Sequence, residues 1–107
     1  MITEADRNLV EEFKRRMGDR GVSFLETIVF GSRARGDADA ESDLDILIIV
    51  EQQDRQTREQ IRRCAWEVGF ENGLFIQTIV ITRDEMENTP LRSSLLVLAV
   101  REEGVRV

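Results

Sequence analysis

The chain predicts an α+β domain, a small mixed β-sheet with helices packed mainly on one face. Three observations point there. Its 107 residues suffice for one core of three or four strands and a few helices, so residues 1–107 read as a single domain. Apolar residues alternate between helical stripes and short β-branched runs. The resulting order is α-β-β-α-β-α with a short terminal strand, in which helices follow strands without regular alternation.

Thr3 is placed to cap a first helix, with Glu4 and Asp6 at its positive end. Leu9, Val10, Phe13 and Met17 form its apolar stripe, and Gly18 and Gly21 frame its exit. Residues 22–30 read as a strand running into Gly31, and residues 33–42 as a polar loop or short helical turn. Residues 44–50, Leu-Asp-Ile-Leu-Ile-Ile-Val, form a nearly continuous apolar run, the pattern of a central strand covered on both faces. A second helix is expected from Gln52 to Val68, with Ile61, Cys64, Ala65 and Val68 on its inner face. Gly69 and Asn72-Gly73 then break the chain before a third strand over 74–82. Thr82 or Asp84 caps a short helical turn, and Pro90 stands at the start of a last helix over 91–103, ended by Gly104. Val105-Arg106-Val107 remains as a short edge strand. Leu95 to Val100 would be apolar on every side of a helix, which leaves two readings open. It is a central helix or misread strand, or it is covered by a partner or by a second copy in a homodimer through residues 91–103.

Composition excludes several classes of chemistry. With no histidine and one cysteine, Cys64, the chain holds neither a zinc site nor a histidine-based triad. Carboxylates are its metal ligands, which selects magnesium or manganese. The lone cysteine rules out an internal disulfide and fits a cytoplasmic protein. No apolar run has transmembrane length, and the N-terminus lacks the zones of a signal peptide. The net charge of −6 argues against broad nucleic-acid binding, although fourteen of the fifteen cationic residues are Arg, which suits bidentate phosphate contacts.

The most informative stretch is Phe30-Gly31-Ser32, a ten-residue spacer from Arg33 to Ser42, then Asp43-Leu44-Asp45-Ile46. Gly31 lets the backbone turn and approach a ligand, and Ser32 offers a hydroxyl and an N–H to phosphate oxygens. Side chains alternate along a strand, so Asp43 and Asp45 share a face, about 6.5–7 Å apart at Cα, and can converge on one cation. Leu47 and Ile49 share that face, so burying them leaves the acids beside apolar surface unless a cation neutralises them. Arg33 and Arg35 lie just past the turn, where the outer phosphates of a triphosphate would sit. Asp37, Asp39 and Glu41 read as loop solvation. Two other patterns fail. Gly31-x4-Gly36 has P-loop spacing but Asp37 and Ala38 where Lys and Ser or Thr belong, and Asp37-x-Asp39-x-Glu41 lacks the glycine and closing glutamate of an EF-hand.

This stretch resembles the signature of the DNA-polymerase-β-like nucleotidyltransferase superfamily, and within it the small branch of minimal nucleotidyltransferases. The resemblance implies a polymerase β palm-like fold with one open cleft. It implies Asp43 and Asp45 as catalytic metal ligands for Mg2+ or Mn2+, and Gly31, Ser32, Arg33, Arg35 and Ser42 as the nucleotide-binding set. The implied reaction moves a nucleoside monophosphate, AMP from Mg-ATP, to a hydroxyl on a partner protein or other macromolecule. Relatives of this kind commonly pair with a separate HEPN protein. The superfamily usually adds a third acid on the next strand, where this chain has Gln77 and Thr78; Glu71, Asp84 and Glu85 stand only at that strand's ends. The departure keeps a rival reading open: a catalytically weakened nucleotide- or partner-binding module, the antitoxin of a HEPN/MNT toxin–antitoxin pair.

Overall fold

A computed structural model of the chain describes residues 2–36, 42–88 and 94–107. Helix α1 spans Glu4–Asp19 and opens as expected at Thr3. Thr3 Oγ1 accepts from the Asp6 N–H at 3.0 Å, and the Asp6 carboxylate accepts from the Thr3 N–H at 3.4 Å, a reciprocal capping box. Strand β1 is Glu26–Phe30, shorter than the expected 22–30. The Val22 N–H is used to close α1 onto the Met17 carbonyl, so the segment joins the sheet only later. A four-residue helix, α2 (Ser32–Arg35), follows Gly31, and β2 (Leu44–Val50) has the expected bounds.

Helix α3 (Arg55–Asn72) starts later than expected because Asp54 caps it, its Oδ1 accepting from the Thr57 N–H at 2.7 Å. It also runs through Gly69 and ends at Gly73, whose φ is +72°. Gly69 is therefore not a break. A Cβ there would lie 2.5 Å from the Leu74 carbonyl oxygen, so its bare backbone lets the returning chain pack against the helix. Strand β3 is Ile76–Thr82. Thr82 Oγ1 then accepts from the Glu85 N–H, and Glu85 accepts from the Thr82 N–H, capping α4 (Arg83–Asn88). Helix α5 (Leu95–Glu103) is capped by Ser94, and β4 is Val105–Arg106. The expected start of the last helix at Pro90, and Leu91–Ser93, lie outside the described residues.

The sheet order is β3-β2-β1-β4, with β2 antiparallel to β1 and parallel to β3, and β4 antiparallel to β1. Alternation along β2 splits the core in two. Leu44, Ile46, Ile48 and Val50 pack with Val10, Phe13 and Met17 of α1 and Ile61, Cys64 and Val68 of α3. Leu47 and Ile49 face the other way, with Ile28, Ile81 and Val100 of α5. Helix α5 is peripheral: Val97 and Val100 are buried, whereas Leu95 and Leu98 point outward, so the central-helix reading does not hold. Among the described residues no helix is long and apolar enough to cross a membrane.

Two arginines clamp α1 to α3. Arg16 binds Glu71 in a fork at 2.6 and 2.8 Å while its Nε donates to Glu12 at 2.9 Å, and Arg20 binds Glu67 at 2.6 and 2.8 Å. Hydrogen bonds from Arg15 and Arg16 hold the Glu12 carboxyl down at about 2, and Arg16 also lowers Glu71. Carboxyls depressed in the fold stabilise it above their unfolded pKa and lose that contribution as pH falls through the folded one. Replacing Arg16→Met is thus expected to lower the thermal midpoint at pH 7. The gap from the parent narrows as pH drops from about 4.5 towards 2, measurable by circular dichroism melts across that range.

Candidate active site

The register of β1 on β2 sets Phe30 opposite Asp45, so the chain leaves β1 at Gly31 directly beside that acid. Gly31 has φ +76°, and a Cβ there would overlap Asp45 Oδ2 and sit 3.3 Å from its Cγ. The glycine is required twice, for its backbone angle and for the space the carboxylate occupies. Ser32 follows as the first residue of α2. Asp43 precedes β2 by one residue and shares the face of Asp45, the face of Leu47 and Ile49.

On its other side Asp45 pairs with Gln77 of β3, and Gln77 Nε2 donates to Asp43 Oδ2 at 2.7 Å. An amide therefore stands where a third carboxylate would belong, bonded to Asp43. Thr78 points to the α3 side, where it lines a cleft with Ala65 and Trp66. Glu71 is engaged by Arg16, Glu85 by Gln53 and Thr82, and Asp84 by Asn88. Among the described residues no three Asp, Glu, His or Cys side chains are grouped to hold a metal. Asp37, Asp39 and Glu41 lie outside the described residues.

The Asp45 carboxyl is raised above the usual range, first by burial and then by the charge of Asp43, with Arg35 opposing. Two like charges share a partly desolvated corner, which fits a hard divalent cation with oxygen ligands; a proton offsets the charge only at lower pH. Arg35 thus reaches Asp45 electrostatically, and its guanidinium meets Glu103 at the end of α5 at 3.3 Å.

Arg33 is placed differently. Its Nη1 donates to Asp6 Oδ1 at 2.6 Å, while Nε and Nη2 donate to the Ser42 carbonyl at 3.0 and 2.6 Å. The ion pair is nearly dry, with 11% of the Arg33 and 4% of the Asp6 side chain exposed. Arg33 thereby ties the start of α1 to the residue just before Asp43. Sequence reasoning saw Asp6 only as a helix-terminus charge. Its tie to Arg33, twenty-seven residues away, leaves no local trace beyond the capping box, and neither does the Arg35–Glu103 pair.

Breaking one side of a buried pair leaves an uncompensated charge, so Asp6→Ala is expected to cost about 3–5 kcal/mol in urea unfolding. The Asp6→Ala, Arg33→Met double variant should recover much of that. Gly31→Ala must strain φ and displace Asp45, a loss of about 1–3 kcal/mol by the same assay.

A family model described as a nucleotidyltransferase domain matches residues 7–101. A Methanocaldococcus jannaschii protein carrying the provisional name of protein adenylyltransferase is 30% identical over 89 residues, covering 75% of this chain and 90% of its own. A crystal structure of a nucleotidyltransferase, so named provisionally, from Sulfolobus solfataricus shares the fold with a TM-score of 0.57 at 21% identity, over 92% of this chain and 76% of that one. The chain belongs to the nucleotidyltransferase-domain family, enzymes that move a nucleotidyl group from a nucleoside triphosphate and typically use a divalent metal.

Proposed function

We propose that the chain transfers AMP from magnesium-bound ATP to a hydroxyl group on a protein. The observation that carries this is Asp45 lying against the glycine of the Gly31-Ser32 turn, with Asp43 two residues before it on the same face. The name of the M. jannaschii relative supports adenylyl transfer with protein as acceptor. In this reading Asp43 and Asp45 hold Mg2+ or Mn2+, which would supply charge neutralisation for the triphosphate. The Gly31 backbone and the Ser32 and Ser42 hydroxyls bind phosphate oxygens. Arg35 offsets the charge of the departing pyrophosphate, and Arg33 acts one step back by holding the Ser42–Asp43 segment.

The acceptor oxygen attacks the α-phosphorus, and the bond from that phosphorus to the bridging oxygen of pyrophosphate breaks. Gln77 cannot take the hydroxyl proton, so the proton leaves to water. Catalysis then rests on positioning and charge neutralisation rather than on a strong base.

The neutral Gln77 favours a second reading, a binding module that retains the cleft and acts as an antitoxin towards a HEPN-domain partner. The outward Leu95 and Leu98 of α5 offer such a partner, or a second copy, an apolar contact. Incubation with α-labelled ATP, magnesium and the product of the adjacent reading frame separates the two. Label should pass to protein, and Asp45→Asn should cut the rate by about a hundredfold or more. Gln77→Glu, which adds a ligand charge, should lower the magnesium concentration for half-maximal transfer. Transfer that survives Asp45→Asn overturns the acid pair as the metal site; tight partner binding without any label transfer sinks the enzyme reading and supports the module.

A further inference from the structure

We infer that the open edge of β3 and the groove between it and α3 form a docking site for an extended acidic segment of a partner protein, added as a fifth strand. Among the described residues no strand lies outside β3. The Leu44 N–H bonds to the Phe75 carbonyl at 3.0 Å, and residues of a parallel ladder turn their backbone groups alternately to either side. Ile76, Thr78 and Val80 therefore direct theirs away from β2. The strand reads Ile-Gln-Thr-Ile-Val-Ile-Thr, without the proline or charge that usually blunts an edge.

Side chains beside this edge divide it into two parts. At the start of β3 a cleft of about 500 Å³ is walled by Trp66, Phe70 and Phe75, which are 61%, 72% and 73% exposed. Trp66 and Phe70 are stacked with centroids 5.1 Å apart. Further along, Thr78 and Val80 share a groove of about 370 Å³ with Arg58, Arg62 and Glu85. Glu85 stays ionised, its carboxyl held down by hydrogen bonds from Thr82 and Gln53, so the two exposed arginines outweigh it and leave the groove lining positive.

That charge decides the occupant. A second copy pairing edge to edge about a two-fold near Ile79 would bring Arg58 and Arg62 close to their own symmetry mates. Like charges meeting there disfavour it. Nucleic acid would need a longer basic surface than two arginines on a chain of net charge −6. An extended peptide satisfies the open backbone groups, places an apolar side chain in the aromatic cleft, and sets acids two and four residues away on the same face over Arg62 and Arg58.

The test is fluorescence anisotropy with fluorescein-labelled Thr-Leu-Thr-Glu-Thr-Glu-Thr, its reversed sequence, and versions with Lys in place of Glu. Saturable binding of one acidic peptide is expected, and none of the Lys versions. Thr78→Pro removes an outward N–H and leaves the bonds to β2; with Arg62→Glu and Trp66→Ala, both at exposed positions, each should weaken binding by about tenfold or more. Because the last two changes are at exposed positions, a misfolded proline variant would not shield the idea. No saturation at millimolar peptide overturns it, as does affinity unchanged in all three variants. So does a dimer in sedimentation that Thr78→Pro dissolves, or tighter binding of oligo(dT) than of either peptide. No nucleotide enters the assay, so its outcome stands apart from that of the transfer reading.

Discussion

The register between β1 and β2 is the constraint on which the acidic end of the molecule depends. It is enforced by oil, not by the acids. Leu44, Ile46, Ile48 and Val50 are all but fully buried against α1 and α3, each contributing about 1.5–3 kcal/mol. A slip of one residue would turn all four to the opposite face and send Asp45 into the core beneath the helices. No local preference of an acid competes with that. The hydrophobic half of the strand thus places the carboxylate against Gly31, and the site inherits its precision from packing.

Arg33 and Arg35 show how a short helix divides labour between identical side chains. Residues two apart on a helix point to nearly opposite sides. One guanidinium is drawn inward to Asp6 and the Ser42 carbonyl, and the other stays half in water near Glu103 and within electrostatic reach of Asp45. The buried one fixes the chain that presents Asp43; the exposed one remains adjustable. Charge that acts on Asp45 and charge that anchors the neighbouring chain therefore come from the same four residues.

Much of this was legible in the chain itself. The β-branched run of β2 announced a central strand, and Thr3, Thr82 and the stripes of α1 and α3 marked helices through capping chemistry and period. The Gly-Ser and Asp-x-Asp spacing marked the candidate site because each residue there has a local reason to be where it is. Boundaries were less readable. Gly69 looked like a stop but serves close packing, and Val22 looked like strand but closes a helix. Arg33 was the least legible, since its partners come from the first turn of α1 and from a carbonyl, and neither pairing has a sequence signature. Gln77 was legible as an absence; its hydrogen bond to Asp43 was not, because it depends on the parallel register of β3.

Gly69 carries a consequence for how this chain can vary in length. Its carbonyl accepts from the Leu74 N–H at 3.0 Å, and the space above it is filled by the Leu74 carbonyl. Helix and returning strand are welded backbone to backbone, with no slack to absorb an extra residue between them. An insertion or deletion in this joint would shift β3 along β2 and replace Gln77 with a neighbour pointing to the other face. Variation in chain length is better tolerated elsewhere, because this joint acts as a ruler for the cleft.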